Sequence, residues 1–127
     1  MILTETKFEF RGQSGKIALD EYSLGGTCLL FLEDGEDPIG GSPIPISLRI
    51  PGSQPTSHNQ VYIKNYGELE GILVELDRQG IVKPTNSRMW VRLSPWASAP
   101  LVTLSEEISR FLPFPPSPSK RNPNHVL

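Results

Sequence analysis

The residues able to act as nucleophile, general base or metal ligand are few in this chain. Cys28 is the only thiol, and it lies inside the apolar run Thr27-Cys28-Leu29-Leu30-Phe31-Leu32 with no histidine near it in sequence. A catalytic thiolate needs a cation, a histidine or a helix N-terminus to lower its pKa, so Cys28 reads as a small buried hydrophobe. His58 and His125 fall in a polar loop and in the C-terminal tail, and neither pairs with a Ser or Asp at a recognisable triad spacing. Asp34, Glu36 and Asp37 could chelate a hard cation. A calcium loop, however, needs more oxygens and a distal bidentate Glu, and Pro38 interrupts the pattern, so the group reads as an acidic turn. Glu68 and Glu70 open a helical pattern, where the helix dipole favours negative charge. Gly40-Gly41-Ser42-Pro43 lacks the lysine and the following helix of a phosphate-binding loop. With one cysteine and two histidines, neither an intrachain disulfide nor a structural zinc cluster can close. A non-enzyme with no cofactor and no metal is expected.

The elements that would carry any site follow from length and pattern. The 127 residues suit one domain with a modest core. Thirteen prolines and eleven glycines point to short strands and many turns rather than a helical bundle. Lys plus Arg is 12 against 14 Asp plus Glu, a formal charge of -2, which excludes a broadly cationic nucleic-acid binder. No apolar run is long enough to span a bilayer, and Met1-Ile2-Leu3-Thr4-Glu5 lacks the features of a signal peptide, so a cytoplasmic protein is expected.

Phe8 and Phe10 alternate with Lys7, Glu9 and Arg11, the period of a half-buried strand; Gly12–Gly15 reads as the turn and Lys16–Tyr22 as the returning strand. The run Thr27–Leu32 is apolar on both faces and reads as a central strand. Ile44, Ile46, Leu48 and Ile50 alternate in another, which Pro45 assigns to a sheet edge; an edge strand there offers pairing across a two-fold axis, hence a homodimer. Val61 and Ile63 form a short strand. A helix is predicted over Tyr66–Gln79: Asn65 caps it, Glu68 completes a capping box, Leu69, Ile72, Leu73 and Leu76 form its apolar face, and Gly80 with Ile81 ends it. Met89, Val91 and Leu93 alternate with Arg88, Trp90 and Arg92 in a further amphipathic strand that Pro95 ends. Leu101–Leu104 adds a short strand, and Ser105 caps one helical turn. The expected fold is α+β: one antiparallel sheet of about five or six strands with one main helix on a face, residues 1–112 forming a single domain and 113–127 a flexible Pro-rich tail.

The stretch Val61-Tyr62-Ile63-Lys64-Asn65-Tyr66-Gly67-Glu68-Leu69-Glu70-Gly71, with Gly26, Asp34-Gly35-Glu36, Pro38, Leu48, Pro51 and the Gly80-Ile81-Val82 exit, resembles a domain-of-unknown-function family of small proteins from bacteria, plasmids and phages. The resemblance covers residues 24–83. It implies a compact α+β fold and association with mobile elements, and it implies no catalytic residues.

Two surfaces invite binding. Arg88, Trp90 and Arg92 share one face of a strand with Trp96 just beyond, and arginine flanking tryptophan can anchor a protein hot spot or stack on bases. The alternative is that Trp90 is packed and the arginines shield it. Gly71, mid-helix and opposite Leu69 and Leu73, costs about 1 kcal/mol relative to alanine and would admit a close backbone approach, with Tyr62 and Tyr66 framing the start of the helix. From Ile17 to Leu48 there are six acids and no Lys or Arg, an asymmetry that can steer a partner. The expected function is a non-catalytic accessory protein of a mobile element acting by protein–protein binding, in one form an inhibitor of a host defence nuclease. The second reading is a nucleic-acid-binding module using the Arg/Trp face, which the net charge opposes.

Overall fold

The computed structural model describes residues 1–35, 43–84 and 88–114. Arg11 and Gly12 set the first hairpin, with φ of 51° and 78°. Two successive positive φ values make the type I′ connection whose twist matches antiparallel strands. β1 (Ile2–Phe10) therefore pairs with β2 (Gln13–Glu21) from Phe10↔Gln13 onward, a tighter turn than Gly12–Gly15. Gly15 is instead in the strand, opposite Glu33 of β3 (Thr27–Glu33), where any Cβ would collide with the Leu32 carbonyl.

The segment after β3 does not form one edge strand. β4 (Ile44–Pro45) pairs with Leu30 and Phe31 of β3, whereas β5 (Ser47–Leu48) pairs with Tyr62 and Ile63 of β6 (Gln60–Ile63). Ile46, between them and fully buried, donates its N–H to Leu29 O (2.9 Å) and accepts Lys64 N–H on its own carbonyl (2.8 Å). The chain thus crosses from one sheet to another at a single residue. One expected sheet becomes two of four strands, ordered β1-β2-β3-β4 and β5-β6-β8-β7, where β7 is Trp90–Ser94 and β8 is Ala97–Thr103. Pro45 does lie at a sheet edge, since β4 and β5 are each the terminal strand of their sheet, but the crossing at Ile46 divides the expected long edge into two two-residue edges.

The predicted helix over 66–79 is broken. A 3-10 turn occupies Gly67–Leu69, Gly71 takes φ 89°, and α1 runs only from Ile72 to Arg78. Arg11 takes the freed carbonyls. Its guanidinium donates to those of Glu68 (3.1 Å) and Glu70 (2.7 Å), acceptors that a continuous helix would offer to residues 72 and 74. Asn65 still caps, but from a distance: its Oδ1 accepts the N–H of Leu73 in the first turn of α1 (3.0 Å). Glu68 pairs with Lys64 instead of closing a capping box. Gly80, at φ 78°, ends α1 as expected: Gly80 N–H reaches Asp77 O and Ile81 N–H reaches Leu76 O, the paired bonds of a Schellman motif.

Leu69, Ile72, Leu73 and Leu76 pack into one core with Phe8, Ile17, Leu19, Leu29 and Phe31 of the first sheet and Val61, Ile63 and Val102 of the second. Ile108 of α2 (Glu106–Ser109) completes it, with Phe111, Leu112 and Phe114 against its rim. Phe8 and Phe31 meet edge to face, centroids 5.4 Å apart. Val74 and no other apolar α1 residue faces out. Among the described residues no helix is long and apolar enough to cross a membrane.

Two polar ties hold these pieces in register. Ser47, 3 % exposed, accepts Leu29 N–H on Oγ (2.8 Å) and shares a hydrogen bond with the Tyr22 hydroxyl (2.8 Å). Arg88 forks onto both carboxylate oxygens of Asp77, joining the approach to β7 to α1.

Ser47→Ala strands a buried N–H and should lower unfolding free energy by about 1–3 kcal/mol in a denaturant titration. No atom lies within 4 Å of a Cβ built on Gly71. Gly71→Ala should therefore cost only its left-handed backbone, about 1–2 kcal/mol by the same measurement. Arg88→Ala, which leaves Asp77 without its cation, should cost about 1.5–3 kcal/mol.

Candidate binding surface

Of the ten residues singled out in sequence, the structure brings three together. Trp90 and Arg92 lie in β7, and Trp96 sits with Pro95 in the two-residue turn between Ser94 and Ala97 that joins β7 to β8. Trp96 is 86 % exposed and Trp90 50 %. Tryptophan on a folded surface is usually mostly covered, so a hairpin presenting two of them is an unusual apolar surface. Arg92 lies over the turn, donating from Nε to Ser94 O (3.2 Å) and from Nη2 to Pro95 O (2.9 Å), and so braces Trp96 from beneath.

The others are elsewhere. Arg88 is no part of this face: its side chain is 10 % exposed and is committed to Asp77 and to Lys83 O. Tyr62 is buried in β6 and cannot frame an open site. Tyr66 sits half-buried before the 3-10 turn, with the Lys64 ammonium 5.7 Å from its ring centroid. Gly71 is exposed at the start of α1 with open space around it; its φ, not a close approach, explains the glycine. Asp34 lies at the exit of β3, where its N–H bonds Ser14 O. Glu36 and Asp37 lie outside the described residues.

Sequence reasoning missed Met89 and Leu93. Their alternation with Val91 placed them toward the core, yet they are 61 % and 39 % exposed. The reason is topological. β7 is the last strand of its sheet and contributes no residue to the core cluster, so alternation there marks a pleat with no layer beneath it. The hairpin itself was also missed, since Pro95 read as the end of the strand and the next strand was placed only at Leu101–Leu104. Pro95 opens the turn, a position its fixed φ suits. Pro100 faces Trp90 across β7–β8 and lies just past Leu101, where pairing with β6 ends.

Elsewhere the chemistry is sparse. A cleft of ≈ 370 Å³ opens between the β2–β3 turn and the loop before β6; Arg49 and His58 line it, but no carboxylate does. Arg49 donates to the carbonyls of Gly25 and Leu24, and Thr27 Oγ1 to His58 O. Cys28 is buried, and burial pushes its thiol pKa up; Tyr22 beside it is pushed up for the same reason. Neither is an activated nucleophile at neutral pH. Among the described residues no group of three His, Cys, Asp or Glu converges as metal ligands.

The chain matches no family model, and no curated protein and no solved structure matches it.

Proposed function

We propose that the chain is a non-catalytic binding protein that holds a protein partner on the β7–β8 hairpin. The carrying observation is the exposure of Met89, Trp90, Leu93 and Trp96 within eight consecutive residues of a structured hairpin. Desolvating such aromatic anchors is the commonest source of hot-spot affinity. Arg88, held by Asp77, is not available to bases or phosphates, which favours a protein over a nucleic acid as the occupant. The resemblance over residues 24–83 supplies a setting, an accessory role in a mobile element. The described acids of the Ile17–Leu48 stretch separate: Asp20 and Glu21 stand at one end of β2–β3, Glu33 and Asp34 at the other. Inhibition of a defence nuclease would then work through the hairpin rather than through an acidic surface competing for a nucleic-acid groove.

A tagged pull-down from host lysate, treated with nuclease and read by mass spectrometry, tests this. A stoichiometric protein should survive nuclease. Trp90→Ala and Trp96→Ala should each cut its recovery about tenfold or more, as removal of a central anchor does. Trp96→Ala should leave the denaturation midpoint within about 0.5 kcal/mol of the parent, as for a surface substitution. Recovery that vanishes with nuclease would overturn the protein reading in favour of nucleic acid.

A further inference from the structure

Of the four terminal strands, β4 and β5 are two residues long, and the two longer ones, β1 and β7, are treated differently. β1 is blunted. Its register slips between Leu3 and Lys7, where Glu5 takes φ 66°, and such bulges turn an edge away from further pairing. Farther along, the Gln79 side chain satisfies Glu9 on both sides, accepting its N–H (2.9 Å) and donating to its carbonyl (2.7 Å). Thr6 is tied to Glu107 of α2.

β7 also has a register irregularity, between Arg92 and Ser94 at the turn end, but from Met89 to Arg92 its pairing is regular, and among the described residues no side chain from another element bonds its backbone there. Leu101 N–H bonds Met89 O, and the register continues through Trp90↔Pro100, Val91↔Ala99 and Arg92↔Ser98. Met89 and Val91 therefore direct their backbone groups to β8, whereas Trp90 and Arg92 direct theirs to the open edge. Pro100 opposite Trp90 agrees, since a non-bonded pair needs no N–H there. Charge is one-sided as well. From Arg78 to Ser105 there is no Asp or Glu. Of the four cations in that stretch, Arg78 is paired with Glu75 and Arg88 with Asp77. Lys83 and Arg92, on the same side of β8, have no carboxylate within 4.0 Å among the described residues.

Resting on the hairpin reading above, we infer that β7 receives its partner by strand addition, and that the added segment is extended and acidic, with apolar residues at alternate positions. Backbone bonds at Trp90 and Arg92 supply the register, and the exposed Met89, on the face opposite Trp90 and Arg92, supplies apolar contact. Carboxylates of the segment, all on the other face, meet Arg92. A second copy of the chain is the weaker occupant, because antiparallel β7–β7 pairing sets two acid-free, cationic edges against each other, and like charges across a ladder are destabilising.

The probe is an end-capped eight-residue peptide alternating Glu and Val, with its Lys–Val counterpart as control, added to the full chain. Binding of the Glu–Val peptide should slow amide hydrogen exchange at Trp90 and Arg92 by about tenfold or more and leave β1 unchanged. Arg92→Gln, which keeps the N–H, should weaken binding several-fold and flatten its salt dependence. Arg92→Pro removes an outward N–H that the β8 ladder does not use, and should abolish binding with the Val91 amide still protected. No binding, equal binding of the Lys–Val peptide, protection at β1, or indifference to Arg92→Pro would each overturn strand addition. Concentration-dependent protection of Trp90 in the protein alone would overturn it in favour of a second copy. In the lysate experiment, a partner lost with Trp90→Ala and Trp96→Ala but kept with Arg92→Pro would leave the hairpin reading standing and remove only this one; a partner kept by all three variants would remove both.

Discussion

Everything in this fold depends on one residue having to satisfy two sheets at once. Ile46 sends its N–H to Leu29 in the first sheet and receives Lys64 on its carbonyl from the second, with its side chain wholly buried. A peptide group in that position has no access to water, so both bonds must be made. They fix how far β3 and β6 stand apart and the side from which α1 can close the core. Ser47 adds the side-chain half of the same joint, since Leu29 N–H ends on its hydroxyl and Tyr22 leans on it from the outside. Strands that switch sheets at a bend are how layered β structures turn corners, and here the switch takes one residue.

That joint also explains what the sequence made legible and what it did not. The apolar run Thr27–Leu32 declared a covered strand, and the 3-4 spacing of Leu69, Ile72, Leu73 and Leu76 declared the face that packs, because burial is written in local period. All four helical-spaced residues are in the core. The break at Gly71 was only half legible: the glycines at 67 and 71 permit it, but the group that takes the freed carbonyls of Glu68 and Glu70 is Arg11, some sixty residues away. Likewise the alternation Ile44–Ile50 is that of a single strand, and only the positions of Leu29 and Lys64 divide it. Local pattern reports which faces are apolar; it does not report which partners compete for a backbone group.

The same distinction governs the site. Trp90, Arg92 and Trp96 were legible as a candidate surface because arginine flanking tryptophan can anchor a partner, with a packed Trp90 as the alternative; both tryptophans are exposed. Arg88 carried the same signal and is a structural residue, since its partner Asp77 comes from the far end of α1. Met89 and Leu93 carried the signal of a core strand and are exposed. Period two states that a strand has an apolar face; whether a second layer covers that face is a property of topology, and β7 lies one strand beyond the layer.

This arrangement separates the core from the exposed hairpin proposed to bind. The core is closed by β1–β6, β8 and the helices, so β7 can vary in side chain without opening a cavity. The bidentate Arg88–Asp77 pair fixes where β7 begins, and Arg92 on the Ser94 and Pro95 carbonyls fixes how the turn presents Trp96. An aromatic surface held by such anchors loses little conformational entropy when a partner covers it, because the backbone that carries it is already ordered. The contrast with β1 gives this a direction. Glu9 on β1 is covered by the Gln79 amide, whereas among the described residues the outward N–H groups of Trp90 and Arg92 on β7 have no such cover beside two tryptophans. Open edges invite aggregation unless something occupies them, and the proposed acidic strand would cover the β7 backbone beside the indoles.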